Sequence, residues 1–232
     1  MTILNMILAQ AAGAAQAGTA PAVATESLWD LTLAGGWLMI PLALLLVVSI
    51  YIFFERVFAI NHVGKEDNKA FMQQIRDHIH AGRIEEAQKL CQATNSPYGR
   101  MIAKGVARIG RPMNDVLVAV ENVGNMEVAN LEKGFSWLAT TAAGAPMIGF
   151  LGTVTGMVQA FMALAKAGTS ANVTILSQGI YEALVTTVAG LIVGIVAMFA
   201  YNYLTSRVSK VMNKLERSTM EFMDLLNEPA SK

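Results

Sequence analysis

Three stretches of this chain are too long and too apolar for an ordinary soluble core. The first, Gly35 to Phe54, contains no charged residue and matches the roughly 20 residues that a helix needs to cross a bilayer. Trp137 to Ala165 and Ile175 to Tyr203 are longer, so tilt or projection past the membrane is expected of them. Hydrocarbon offers no hydrogen bonds, and a helix satisfies its backbone within a single segment. The composition agrees: 54% of the 232 residues are hydrophobic and 15% are charged, against about 25% charged in a typical soluble domain. Trp37 and Tyr51 stand near the two ends of the first stretch, where amphipathic rings prefer the membrane interface.

Charge sets the topology. The first 55 residues carry no Lys or Arg, the segment 56–135 carries eleven, the connection 166–173 only Lys166, and the tail after Thr205 five. Basic loops stay in the cytoplasm. The reading is therefore an all-α, multi-pass membrane protein. Its N-terminus and the 166–173 connection lie outside, and its large loop and C-terminus lie in the cytoplasm. The expected order is an N-terminal segment 1–30, spans at 31–55, 136–165 and 174–205, a cytoplasmic helical domain 56–135, the periplasmic loop 166–173 and a cytoplasmic helix 206–232. The N-terminal segment reads either as an external tail or as a signal peptide ending near Ala15-Gln16-Ala17, although it lacks a basic start. The formal net charge is zero and no basic stripe exists, which argues against a nucleic-acid partner; membrane lipids are its first surroundings. Cys91 is the single cysteine, so no intrachain disulfide can form, and a buried inert thiol is expected.

The cytoplasmic segment reads as helices. Asp67 to His80 places Phe71, Ile75 and Ile79 at spacing four. Arg83 to Ala93 and Tyr98 to Ile109 repeat the pattern, punctuated by Asn95-Ser96-Pro97 and Gly110-Arg111-Pro112. From Met113 onward the apolar stripe predicts one helix running into the second span as far as Ala165, kinked at Pro146, where a backbone donor is missing. The third span is expected to continue the same way through Ser206 to Leu226. Small residues recur at three or four: Gly149, Gly152 and Gly156 in the second span, Gly190 and Gly194 in the third. Such faces let helices approach closely in lipid. They predict a homo-oligomer with these glycines in its seams, although packing within one chain would use the same faces.

Glu182 is the one acid within 174–205. A carboxylate in hydrocarbon is disfavoured and tends to face a protein interior or a hydrated path, which makes it a functional candidate. Thr186 and Thr187 follow four and five residues later, able to share hydrogen bonds with the acid or with water. The plainer reading, a Glu near the helix entry that reaches the headgroups, suits a longer side chain better. No other constellation carries chemistry. His78 and His80 are two apart and diverge on a helix, so they are not expected to share a metal. No HExxH, Walker or GxSxG pattern is present, the Met residues read as packing, and neither an enzyme nor a cofactor is expected.

Two elements carry a resemblance. Pro146-Met147-Ile148-Gly149-Phe150-Leu151-Gly152-Thr153-Val154-Thr155-Gly156 in the second span is followed in the third by Gly179-Ile180-Tyr181-Glu182-Ala183-Leu184-Val185-Thr186-Thr187-Val188-Ala189-Gly190-Leu191 and Tyr201-Asn202. Together they resemble the MotA/TolQ/ExbB proton-channel family, closest to its ExbB members, from about Gly35 to Leu226. One departure is Val196, where the family often has Pro. The resemblance implies a motor subunit that assembles as a ring, typically a pentamer, around a central pore. The pore holds a single-span partner of the ExbD type, which supplies the proton-carrying Asp, and proton flow drives a TonB-type transducer. It maps the family's polar residues onto Thr153, Glu182 and Thr187. A TolQ-like or gliding-type stator, and a non-conducting scaffold in which Glu182 pairs only structurally, are the rival readings. A solute transporter is disfavoured, because three spans show no inverted repeat.

Overall fold

Helix punctuation in the sequence sets most element bounds. The computed structural model describes residues 35–64, 68–94, 96–168 and 173–228. Regular structure among them is entirely helical: α1 Met39–Gly64, α2 Asn68–His80, α3 Ile84–Ala93, α4 Pro97–Val106, α5 Met113–Leu131, α6 Phe135–Ala167 and α7 Val173–Asn227. Three of these, α1, α6 and α7, are long and apolar enough to cross a membrane. The expectations for 1–30, for the start of the first span before Gly35 and for 169–172 lie outside the described residues.

Three expectations change. First, the helix predicted from Met113 to Ala165 is two helices. It stops after Leu131, and Gly134 takes a left-handed backbone conformation at φ +86° before α6 begins at Phe135. A residue with a Cβ rarely adopts that conformation, so a single glycine outweighed an apolar stripe that runs through it. Pro146 lies inside α6, which continues through it. Second, Ser96-Pro97 opens a helix instead of closing one. The Ser96 hydroxyl accepts from the Gly99 amide at 3.0 Å, and Pro97 occupies the first turn, where its missing N–H costs nothing. Third, Tyr51 sits in the middle of α1, which runs on past Glu55 and Arg56 to Gly64. The third-span expectation holds: α7 continues for 55 residues through Val196 without interruption.

The described chain divides into two compact units, one drawn from residues 1–39 and 152–186 and the other from 40–151 and 187–232. The larger unit has a core in which Leu204, Val208, Val211, Leu215, Phe222 and Leu225 of α7 meet Ile75, Met101, Ile102, Val116 and Val120 from α2, α4 and α5. The apolar spacing of the α7 extension is thus matched by the loop helices of its own chain. Gly105 makes room for Phe222: a Cβ there would press on that ring and lie 2.8 Å from Val120. Arg100 reaches across to Glu127 with two 2.7 Å hydrogen bonds. His78 and His80 diverge as expected, His78 Nδ1 lying 3.2 Å from Glu86 and His80 Nε2 3.2 Å from Glu228. Cys91 is free and buried, and burial pushes its thiol up to about 12.

Candidate functional site

The smaller unit is built on close approach. Residues 152–167 of α6 and 173–186 of α7 pack antiparallel through their small side chains. A Cβ on Gly156 would come within 2.8 Å of the Ala183 Cβ, and one on Gly179 within 2.6 Å of the Ala160 Cβ. Gly152 faces Thr186, whose side chain occupies the space a Cβ would need. Thr186 is buried, and its hydroxyl donates to the Ala183 carbonyl at 2.7 Å and to that of Glu182 at 3.4 Å. It is committed to its own helix, as hydroxyls in apolar helices commonly are.

Glu182 stands beside this contact and is exposed. It lines an open cleft of about 70 Å³ together with Thr155, Gly156, Gln159, Ala183 and Thr186, with residues 35–38 and Gly152 as its other walls. That volume admits roughly two waters. Gln178, one turn before the acid, donates to Glu182 Oε1 at 3.4 Å. Thr155 donates to the Gly152 carbonyl at 3.2 Å. No lining residue is basic. The carboxylate is therefore flanked by amides and hydroxyls, which can orient water or a cation but cannot cancel its charge. Chemically, the cleft can accept a proton or favour a positive ion.

Of the sequence candidates, Glu182 and Thr186 are brought together here. Thr153 is half-buried in the same unit but does not line the cleft. Thr187 is turned about 140° from Glu182 around the helix, and its hydroxyl donates to the Gly149 carbonyl at 2.8 Å in the larger unit. Gln159, Thr155 and Gln178 were missed by sequence reasoning. The signal was available as helical spacing: 152, 155, 156 and 159 share one face, and 178, 182 and 186 another. In the larger unit a Cβ on Gly190 would lie 2.6 Å from the Ala145 carbonyl and 2.9 Å from Gly149 Cα, and one on Gly194 would lie 2.7 Å from the Pro146 ring. Gly149, Gly152, Gly156, Gly190 and Gly194 thus all serve contacts of α6 with α7 inside one chain.

These features define a class: a membrane protein whose described residues are helical, with three helices among them long and apolar enough to span and an acid-bearing cleft in the pairing of the last two. The chain belongs to the MotA/TolQ/ExbB proton channel family, whose model matches residues 93–217. It is 29% identical over 176 residues to a putative biopolymer transport protein ExbB homolog of Methanothermobacter thermautotrophicus, covering 75% of this chain and 62% of that protein. It is 31% identical over 195 residues to the putative biopolymer transport protein ExbB-like 1 of Synechocystis sp., covering 82% and 75%. It is also 40% identical over 106 residues to the Tol-Pal system protein TolQ of Haemophilus influenzae, covering 46% of each chain. The chain thus spans less than two thirds of the archaeal relative and about half of the TolQ protein.

Proposed function

We propose that this chain is the multi-span subunit of an ExbB-type motor for biopolymer transport in the bacterial inner membrane. Copies form a ring, a pentamer in this reading, around the helix of an ExbD-type single-span partner. Proton flow through the complex then drives a TonB-type transducer. The N-terminus lies in the periplasm and the α7 extension in the cytoplasm. The observation that carries the reading is Glu182, an acid in a polar cleft with no basic residue among its walls, within a chain of a proton-channel family. Thr155, Gln159 and Gln178 hold water or a cation beside it. Little of each apolar span is buried in the single chain, which leaves outer faces of α6 and α7 such as Met147, Phe150, Leu184 and Val188 for lipid or neighbouring copies.

Glu182→Gln tests it, because the amide keeps the shape and removes the charge. The complex is expected to assemble at wild-type abundance and to lose energised transport, read as growth on a receptor-dependent iron source. Wild-type growth would leave Glu182 a structural residue and favour a scaffold. The TolQ relative supports a second reading, a Tol-type stator. Co-purification decides between them by identifying the bound small subunit and transducer.

A further inference from the structure

Away from the apolar spans, α5 and the α7 extension of the larger unit leave a trough between them. On α5, Leu117, Glu121, Gly124 and Val128 recur at three and four, so they share one face. The facing positions on α7 are Met212, Glu216, Met220 and Met223, again at three and four. The two stripes run antiparallel, Leu117 sharing a hollow with Met223 and Val128 one with Met212. These hollows, of about 440 Å³ and about 160 Å³, meet at Glu121, Glu216 and Thr219. From Leu117 to Val128 the α5 bank is about 16 Å long, three helical turns.

The trough is apolar within and acidic at its rim. Met220 is 66% exposed, Met212 39%, and Met223 and Leu117 are half-buried; unbranched thioether chains adapt to whatever apolar surface meets them. The Thr219 hydroxyl at the floor is committed, donating to the Leu215 carbonyl at 3.0 Å. Glu121, Glu216 and Asp224 are exposed along the banks, and no basic residue lines either hollow. None of the three pairs with a basic residue among the described ones, whereas Glu86, Glu127 and Glu228 on other faces do. An apolar channel of helical length with carboxylates on both banks complements a helix whose apolar face is flanked by Lys or Arg.

The chain's own basic face does not meet that description. Arg207, Lys210, Lys214 and Arg217 recur at three and four on α7. The apolar residues interleaved with them, Val208, Val211 and Leu215, are buried in the core of their own chain. A second copy would thus bring charge to the rim and no apolar face to the methionines.

We propose that this trough docks a basic amphipathic helix of another protein, about three turns long. Its apolar side chains enter between α5 and α7, and its Lys or Arg side chains meet Glu121, Glu216 and Asp224. Docking there is independent of ion conduction at Glu182. The cytoplasmic side proposed above for both helices makes a cytoplasmic segment the partner.

The probe is a fluorescein-labelled helix of about 14 residues, with leucines on one face and lysines flanking them. It is titrated onto the full-length wild-type complex in nanodiscs of zwitterionic lipid, with empty nanodiscs subtracted. Binding is expected, and added salt should weaken it. Glu121→Gln, Glu216→Gln and Asp224→Asn together should weaken it about 10-fold, and Met220→Ser alone by about the same factor. All four side chains are exposed, so the variants should keep the wild-type unfolding midpoint. A probe with glutamate in place of lysine should not bind. Equal affinity of wild type and the triple variant, or of the two probes, overturns the docking site. In cells, a photo-cross-linking amino acid in place of Met220 should capture a segment of another protein that mass spectrometry reads as basic and amphipathic. That capture should vanish in the triple variant. An adduct of twice the chain's mass, a captured segment without Lys or Arg, or no adduct at all overturns it as well.

Discussion

The Thr187 hydroxyl donates a 2.8 Å hydrogen bond to the Gly149 carbonyl, 38 residues away in sequence, and so ties α7 to α6. It is positioned to do so because Gly190, one turn on, lets the two backbones come close, a Cβ there falling 2.9 Å from Gly149 Cα. Thr187 therefore has a structural duty whatever part it takes in ion movement. Thr187→Val keeps the volume and removes the donor. It should lower the complex's stability by about 0.5–2 kcal/mol, read as earlier thermal unfolding in detergent, while Thr187→Ser stays near wild type. Equal stability of the Val variant would leave the bond without weight.

The cleft walls rank the polar residues around Glu182. Gln159 lines the space beside the carboxylate and Thr153 does not. Gln159→Leu should therefore reduce proton flux in reconstituted vesicles more than Thr153→Val, with assembly unchanged in both. The opposite order would place the conducting path on another face of α6.

Gly134 separates α5 from α6 at φ +86°. Gly134→Ala places a Cβ on a left-handed backbone and should cost about 1–2 kcal/mol. Differential scanning of the purified complex reads the loss. An unchanged midpoint would mean that α5 and α6 can join as one helix, as the apolar stripe alone predicts.

Gly105→Val forces a branched side chain between Phe222 and Val120. Overpacking of this kind costs about 1–3 kcal/mol, and it should appear as increased proteolysis of the α7 extension. Gly105→Ala should fall between this variant and wild type.

Cys91 is 1% exposed and its thiol is pushed up to about 12 by burial. The thiolate is the reactive form, so alkylation of the folded protein should stay slow through pH 10 and become fast on unfolding. The folded state keeps this proton above the ordinary thiol range while the unfolded chain releases it. The stability Cys91 contributes is therefore complete below about pH 9 and is lost as pH rises towards about 12. Burial also disqualifies Cys91 as a marker of sidedness. Exposed Asn122 on α5, changed to Cys, is the better inner marker, to be compared with Ser170→Cys outside. An impermeant thiol reagent added to spheroplasts should label only Ser170→Cys, and labelling of Asn122→Cys alone would invert the topology.

Much was legible without coordinates, for local reasons. The apolar runs, the apolar residues at spacing four and the turn residues located α2, α3, α4 and α7 to within a few residues, whereas α1 runs on past Phe54 to Gly64 and α5 and α6 read as one helix. The errors have local causes as well. At Gly134 the amphipathic period continues across a residue with a left-handed backbone, and periodicity does not register φ. At Ser96-Pro97 the same residues can end one helix or begin the next. The ambiguity is resolved by the Ser96 hydroxyl meeting the Gly99 amide.

By itself the sequence determined that the chain enters a membrane as helices, which cytoplasmic residues are amphipathic, and that a single acid lies in the third span. Each of these follows from composition and period along one element. Only the tertiary structure decided which faces meet. It put the small-residue stripes of α6 and α7 against each other within one chain and turned Thr187 towards Gly149. It also placed Gln159 in the same cleft as Glu182 and left the buried Ser49 hydroxyl without a hydrogen-bond partner among the described residues. A small residue permits close approach without naming its neighbour, so the register of two helices depends on both surfaces at once and no single stretch of sequence contains it.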